Sequence, residues 1–461
     1  MILACLATAC AHQTYEPAPI DPGQTAERFT ARTLDAPELR RYMESQGYAE
    51  SAFPLQTWGL RELTLAAFHY HPDLELARAQ WRAAQAQEIT AGQKPNPGFS
   101  TQVEHHSETD GGISPWSLML AIDIPIETAG KRQFRIDQAV HLSEASRLAI
   151  GQRAWEIYGS VRSALIDYRA AARSLELLEQ ELALQQAIVE MLQKRLESGY
   201  ISDIDLASAR LRQQHLQNNA MAARTLLAES RARLAIAVGI PATALNAVTL
   251  DESLPALQNF TEPPPDETQR VALLNRLDIR AALARYAAAE SRLQLEIARQ
   301  QPDFVLSPGY MFDQGDNIWL LGFSTLLNLM HHNEGPIAEA EAQRAVAARE
   351  FEALQARVIG EQDLALAQYE SRLAELEKAG AMLETQRQNV SRSERQFETG
   401  YIDRLQWTTT KMEALAAEQG RLAASVLAEK ARAALEDALQ RPLDDSVHLA
   451  LPDQNSEESS P

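Results

Sequence analysis

Arg195-Leu196-Glu197-Ser198-Gly199-Tyr200-Ile201 returns 201 residues later as Gln396-Phe397-Glu398-Thr399-Gly400-Tyr401-Ile402. Upstream, Asn96-Pro97 is answered by Gln301-Pro302, and Trp116 by Trp319 at an offset of 203. The chain therefore contains itself twice, and the repeat organises the rest of the reading. Each copy reads as helix, strand pair, very long helix, tight turn, helix. The first occupies 57–245, with a helix over 58–92, a strand pair over 98–125, a long helix over 127–197 and a helix over 203–238. The second occupies 267–441, with a helix over 267–300, strands over 303–328, a long helix over 335–397 and a helix over 403–439. A linker at 246–266 joins them, and a tail follows from 442 to 461.

No proline interrupts 127–197 or 337–397. As helices these stretches rise about 90–105 Å, far beyond the usual globular length. Leu175, Leu182, Val189 and Leu196 fall every seven residues, and the repeat maps them onto Leu376, Leu383, Val390 and Phe397. This is a coiled-coil stripe. Leu177, Leu184 and Met191 add a second stripe on another flank of the first long helix. Apolar neighbours on two flanks suit a ring of helices, wet inside and out. A bundle with a wide core face is the plainer alternative.

The strand pairs carry a different period. Trp116, Leu118, Leu120, Ile122 and Ile124 alternate with Ser117, Met119, Ala121 and Asp123, and Trp319, Leu321 and Phe323 alternate with Leu320, Gly322 and Ser324. Period two with one apolar face marks a strand. Their partners, about 98–107 and 303–313, place Phe304, Leu306, Tyr310 and Phe312 on one face, and the turns are Thr109-Asp110-Gly111-Gly112 and Asp313-Gln314-Gly315-Asp316. A tilted strand of about 9–11 residues crosses a bilayer, and hydropathy averaging does not reveal it. Two surface hairpins on a soluble protein are the alternative.

Composition excludes other classes. The net charge of −20 over 461 residues argues against nucleic acid as a partner, and 45% hydrophobic residues argue against a disordered chain. Both cysteines, Cys5 and Cys10, lie in the first ten residues, which makes neither a disulfide framework nor a metal-ligand set. Residues 1–10 resemble the end of a lipoprotein signal. Leu6-Ala7-Thr8-Ala9-Cys10 resembles a bacterial lipobox, whose cysteine is acylated, although Ala7 stands where Leu is usual. Two incidental cysteines in a short N-terminus are the alternative. Residues 11–56 read as an extended tether.

Together these residues resemble the TolC family of outer-membrane efflux proteins over about 57–443. Leu63-Thr64-Leu65-Ala66-Ala67-Phe68 with His71-Pro72 is similar to the family's helix start, and Asn96-Pro97 to its entry into the first strand. Ile124-Pro125-Ile126-Glu127-Thr128-Ala129-Gly130-Lys131-Arg132 and Asn333-Glu334-Gly335-Pro336-Ile337-Ala338 are similar to the exits into the long helices, most closely those of the heavy-metal branch, the CzcC and CusC type. The resemblance implies a mainly α fold with a small β part. Three chains, four strands each, build a twelve-stranded outer-membrane barrel that continues as a hollow α-barrel. Residues 240–266, with Glu262-Pro263-Pro264-Pro265, and the tail form a belt around it. It further implies a homotrimer with a periplasmic adaptor and an inner-membrane RND pump, in the outer membrane of a Gram-negative bacterium.

The resemblance also assigns roles. Gly199, Tyr200, Ile201, Gly400, Tyr401 and Ile402 become the periplasmic tip that meets the adaptor. Asp205 matches an acidic gate position, whereas its counterpart in the second turn is Gln406, and Thr409 holds the next acidic place. Asp203 and Asp403 are the substitutes for that charge, or else they cap the following helices. Trp116 and Trp319 suit the aromatic belt of a membrane interface. No catalytic motif is present, and no cofactor or resident metal site is expected. In His105-His106 and His331-His332 adjacent side chains on a strand point to opposite faces. The expected function is an efflux exit duct for heavy-metal cations. Multidrug export or type I secretion is one alternative and a periplasmic coiled-coil adaptor another.

Overall fold

A computed structural model describes residues 14–108, 111–253 and 275–443. Helices α1 (Pro22–Thr30), α2 (Pro37–Ser45), α3 (Leu60–Tyr70) and α4 (Pro72–Gly92) lead into strands β1 (Gly98–His105) and β2 (Trp116–Ile126). Then come α5 (Lys131–Glu197), α6 (Asp203–Val238) and the short α7 (Ala242–Asn246). The second copy holds α8 (Leu277–Ala298), β3 (Phe304–Asp313), β4 (Asp316–Thr325), α9 (Glu334–Glu398) and α10 (Arg404–Leu439). Among the described residues no helix is long and apolar enough to cross a membrane.

The 67 residues of α5 and 65 of α9 make rods of about 100 Å. α6 folds back along α5, and α10 along α9. α10 also lies against α5, while α4 packs on α5 and α8 bridges α5 and α9. Each rod starts from a left-handed residue, Gly130 (φ 72°) or Asn333 (φ 64°). These are repeat equivalents, and both turn the chain out of a strand. The turn at Gly130 is pinned across the repeats. The Lys131 ammonium donates to the Gln301 carbonyl at 2.6 Å and the Asp303 carboxylate at 2.7 Å, and the Thr128 N–H donates to the same Asp303 oxygen at 2.9 Å.

The four strands form one antiparallel sheet in the order β1-β2-β3-β4. β2 and β3 join the two copies, with Ser117 opposite Asp313 and Ile126 opposite Phe304. Gly309 makes the close approach possible, because a Cβ there would lie 2.9 Å from the Leu120 carbonyl oxygen. Among the described residues the outer edges of β1 and β4 pair with no strand.

Residues 14–56 depart from the expected extended tether. α1 and α2 are helices, and Leu39 and Met43 are fully buried beside Leu63, Phe68, Tyr158, Leu234 and Ile240. The physical reason is amphipathicity. α2 offers two apolar side chains one turn apart, and the Arg32 guanidinium holds the segment down by donating to the carbonyls of Tyr70 (2.9 Å) and Gly239 (2.7 Å). The helix expected over 58–92 is broken at His71-Pro72 into α3 and α4, since proline cannot donate within a helix but opens one readily. Residues 1–10, with Cys10, the Glu262–Pro265 stretch and residues 444–461 lie outside the described residues.

Gly239 closes α6 at φ +79°, and a Cβ there would stand 3.0 Å from the His71 Cα. A left-handed non-glycine residue costs about 1–2 kcal/mol, and here backbone sits in the way. Gly239→Ala is therefore expected to lower the thermal unfolding midpoint by several degrees, whereas Gly420→Ala, which meets nothing within 4 Å, leaves it unchanged or raised.

Candidate functional site

The two Gly-Tyr-Ile turns lie at the ends of α5 and α9. Gly199 (φ 75°) and Gly400 (φ 78°) are left-handed. A Cβ at either would meet nothing within 4 Å, so backbone conformation and not space requires glycine. The Tyr200 N–H donates to the Arg195 carbonyl at 2.9 Å and the Gly199 N–H to Leu196 at 2.9 Å. The Tyr401 N–H donates to Gln396 at 2.8 Å and the Gly400 N–H to Phe397 at 3.0 Å. Both turns thus end their helices by the same pair of bonds. The phenols of Tyr200 and Tyr401 project into solvent, 81% and 87% exposed, while Ile201 and Ile402 are half-buried behind them.

The acidic residues separate by role. Ser202 caps α6, and Asp205 turns back upon it, accepting from the Ser202 N–H (3.0 Å) and hydroxyl (2.7 Å). Those bonds, the hydroxyl first, hold its carboxyl below the usual aspartate range. Asp403 stands at the repeat position of Ser202 and caps α10, accepting from the Gln406 N–H at 2.8 Å. Its other oxygen takes the Arg195 guanidinium at 2.5 Å. The Gln406 N–H first, and Arg195 second, keep Asp403 below the usual range. Gln406 contributes its backbone to the cap. Asp203 sits exposed in the first turn of α6.

The Arg195–Asp403 pair ties the tip of one hairpin to the tip of the other, and sequence reasoning had not singled it out. Nor had it marked the stack inside the second tip. There Phe397 and Trp407 lie 4.9 Å apart and 6° from parallel, with the Lys411 ammonium 3.4 Å above the indole. The first tip has instead an apolar cluster of Val189, Leu206 and Ala209. The signal available was the repeat breaking its own pattern. Gln396 answers Arg195, Ser202 answers Asp403, and Leu206 answers Trp407.

At the sheet, Trp116 and Trp319 occupy equivalent pairs. Trp116 is opposite His105 and edge-on to it at 4.6 Å, and Trp319 is opposite Tyr310 and edge-on at 5.4 Å. Trp116 opens β2, but Trp319 stands three residues inside β4. The cause is the loop. The second hairpin closes through the two-residue turn Gln314-Gly315, both at positive φ, which lets its strands run on. His106 Nε2 lies 3.1 Å from the Ser117 hydroxyl, which donates to Asp313 at 2.5 Å. The serine proton is thereby committed to a carboxylate. Among the described residues no three His, Cys, Asp or Glu side chains converge as metal ligands.

Comparison with known proteins fits this geometry. The family model described as outer membrane efflux protein matches residues 66–240. The pyoverdine export outer membrane protein OpmQ of Pseudomonas putida is 25% identical over 286 residues, 57% of this chain and 60% of its own length. The chain thus spans less than two thirds of that relative. The structure of VceC from Vibrio cholerae aligns with a TM-score of 0.67 at 18% identity, covering 88% of this chain and 98% of that one. CusC aligns at 0.68 and 16% identity, covering 85% and 95%. The fold is that of the TolC-like channels, mainly helical with a small antiparallel sheet. The chain thus has the fold of these channels, and over residues 66–240 it is similar to outer membrane efflux proteins.

Proposed function

We propose that the protein is the outer-membrane exit duct of a tripartite efflux system, a passage and not an enzyme. The observation that carries this is one sheet fused to two long helical hairpins. Its outward face exposes Phe99, Ile122, Trp319, Leu321 and Phe323, and among the described residues both its edges are open. An open edge cannot rest in lipid, so three copies close a twelve-stranded barrel. Their hairpins continue it as a tube about 100 Å long. The exposed tyrosines at the tips, with Gly199, Ile201, Gly400 and Ile402 setting their turns, form the surface for a periplasmic adaptor, through which an inner-membrane RND pump delivers cargo. Cys10 is the lipid attachment, and Trp116 and Trp319 lie at the membrane interface.

The cargo we assign to heavy-metal cations. Each chain contributes −20, and an acidic tube concentrates cations and repels anions. A wide duct needs no resident metal ligands. The second reading is a small organic cargo, favoured by the pyoverdine-export relative. Purified trimers in planar bilayers are expected to pass potassium in preference to chloride. Anion preference would sink the electrostatic argument. Deletion is expected to sensitise cells to zinc, cobalt, cadmium, copper or silver; unchanged metal tolerance with lost export of an organic compound would favour the second reading.

A further inference from the structure

The face of the sheet opposite Phe99, Ile122, Trp319, Leu321 and Phe323 lines the bore of the barrel. Residues directly opposite one another share a face, so the register sorts its side chains into rows. Nearest the turns, Glu104 stands opposite Ser117, Ser117 opposite Asp313, and Asp313 opposite Asp316. Two residues further along each strand, on the same face, the row is Gln102, Met119, Met311 and Ile318. The row after that is Ser100, Ala121, Gly309 and Leu320. No strand carries a lysine or an arginine, and the strand carboxylates, Glu104, Asp123, Asp313 and Asp316, all fall on this one face.

Met119 and Met311 hold the only sulfur atoms in the four strands. They come from different repeats and stand directly opposite each other, both half-buried. Opposite Cβ atoms on neighbouring strands lie about 4.5–5.5 Å apart, and each methionine has three rotatable bonds, so both sulfurs can reach one point. On one side of the pair, Ala121 and Gly309 are the smallest side chains of the face and leave room. On the other side the Ser117 hydroxyl, donating at 2.5 Å, holds the Asp313 carboxylate in place. Two soft, uncharged donors thus sit beside a fixed negative charge in a stretch with no competing cation.

We propose that Met119 and Met311 form a transit site for a soft monovalent cation, copper(I) or silver(I), in the bore of the barrel. Thioether sulfur suits such ions, whereas zinc takes thiolate, imidazole or carboxylate donors. Asp313 and its row draw the ion in, and two neutral thioethers hold it weakly enough to let it leave, as conduction requires. The inference rests on the heavy-metal cargo proposed above and narrows it to soft ions. Ile318, in the same row, has no donor atom, and leucine in place of either methionine would keep the volume and lose the site.

The test is oxidation footprinting of the purified full-length trimer. Dilute hydrogen peroxide converts methionine to its sulfoxide, and mass spectrometry reads each site. Nitrate salts are used throughout, because chloride precipitates silver. Silver nitrate is expected to slow oxidation at Met119 and Met311 by about tenfold. Met221 and Met382, exposed on the long helices, should oxidise at their silver-free rate, and zinc nitrate should protect none of the four. Met119→Leu should remove the protection at Met311, and Met311→Leu that at Met119, because one thioether alone holds the ion poorly. Equal protection of Met221 and Met382, or protection of Met311 that survives Met119→Leu, would overturn the paired site. So would an absence of protection in intact trimers, and the metal cargo would still stand if deletion sensitises cells to copper or silver. Protection of the pair with unchanged metal tolerance in the deletion strain would instead overturn the cargo reading and leave the ion site.

Discussion

Arg162→Met is expected to cost about 3–5 kcal/mol of stability, the usual penalty for removing one partner of a buried ion pair. Arg162 rises from the middle of α5 with 4% of its side chain exposed, and Glu436 on α10 has 3%. The guanidinium donates to Glu436, to Asp437 at 2.7 Å and to the Ala433 carbonyl at 2.9 Å, and it lies over the Tyr158 ring. Burial pushes toward the neutral form, and the carboxylates of Asp437 and Glu436 more than offset it, so the arginine stays charged. Asp437 also accepts from the Trp155 indole at 3.1 Å. This cluster fastens the second repeat to the first at mid-length. Methionine would fill the space but leave Glu436 with only the Leu443 N–H at 3.2 Å and Arg432 at 4.0 Å, an arginine it shares with the buried Glu429, whose acid burial already pushes up. Adding Glu436→Met removes the stranded charge and is expected to restore most of the loss. Thermal and urea unfolding of the purified protein read both variants. A loss under about 1 kcal/mol for the single variant would mean that water reaches the pair.

Arg162 also shows what the sequence could not display. Heptads and alternation are local periods, so the rods and strands could be read from spacing alone. The charged fastener joins residues 274 apart, and nothing in a helical arginine says whether it faces a lumen, solvent or a buried acid. The N-terminal segment failed differently. Residues 11–56 read as an extended tether, yet Leu39 and Met43 are spaced as one helical face. Their burial depends on a groove formed by α3, α5 and α6. At the tips, the equivalence of the turns hid their differences. Asp403 invites comparison with Asp203 by name and proximity, but the repeat aligns it with Ser202. That alignment makes it a cap that also reaches the other hairpin.

Asp403→Asn is expected to open the closed tip more readily. Asparagine still caps a helix, so this change removes the charge that holds Arg195 while sparing α10; Arg195→Ala removes the other half. The pair is partly exposed, 37% and 52% by side chain, and such a pair is worth about 0.2–1 kcal/mol. Three copies acting together would give about 0.6–3 kcal/mol, or about threefold to a hundredfold in the open population. Closed-state conductance in planar bilayers should rise by that factor at low salt and converge with the parent near 1 M, where the Debye length is about 3 Å. Asp205→Ala is the contrast. Its carboxylate is spent within its own turn on Ser202, so conductance should stay near the parent's. The pH dependence has a definite sign. Asp403 is held below the usual aspartate range, so the pair is intact from neutral pH down through mildly acidic conditions. It is lost only as pH falls through that depressed value, and the parent's conductance should begin to rise there. Asp403→Asn should lack that acid rise. Intact trimers with unchanged conductance in both Asp403→Asn and Arg195→Ala would remove the pair from gating. An increase confined to Asp205→Ala would return the role to that residue.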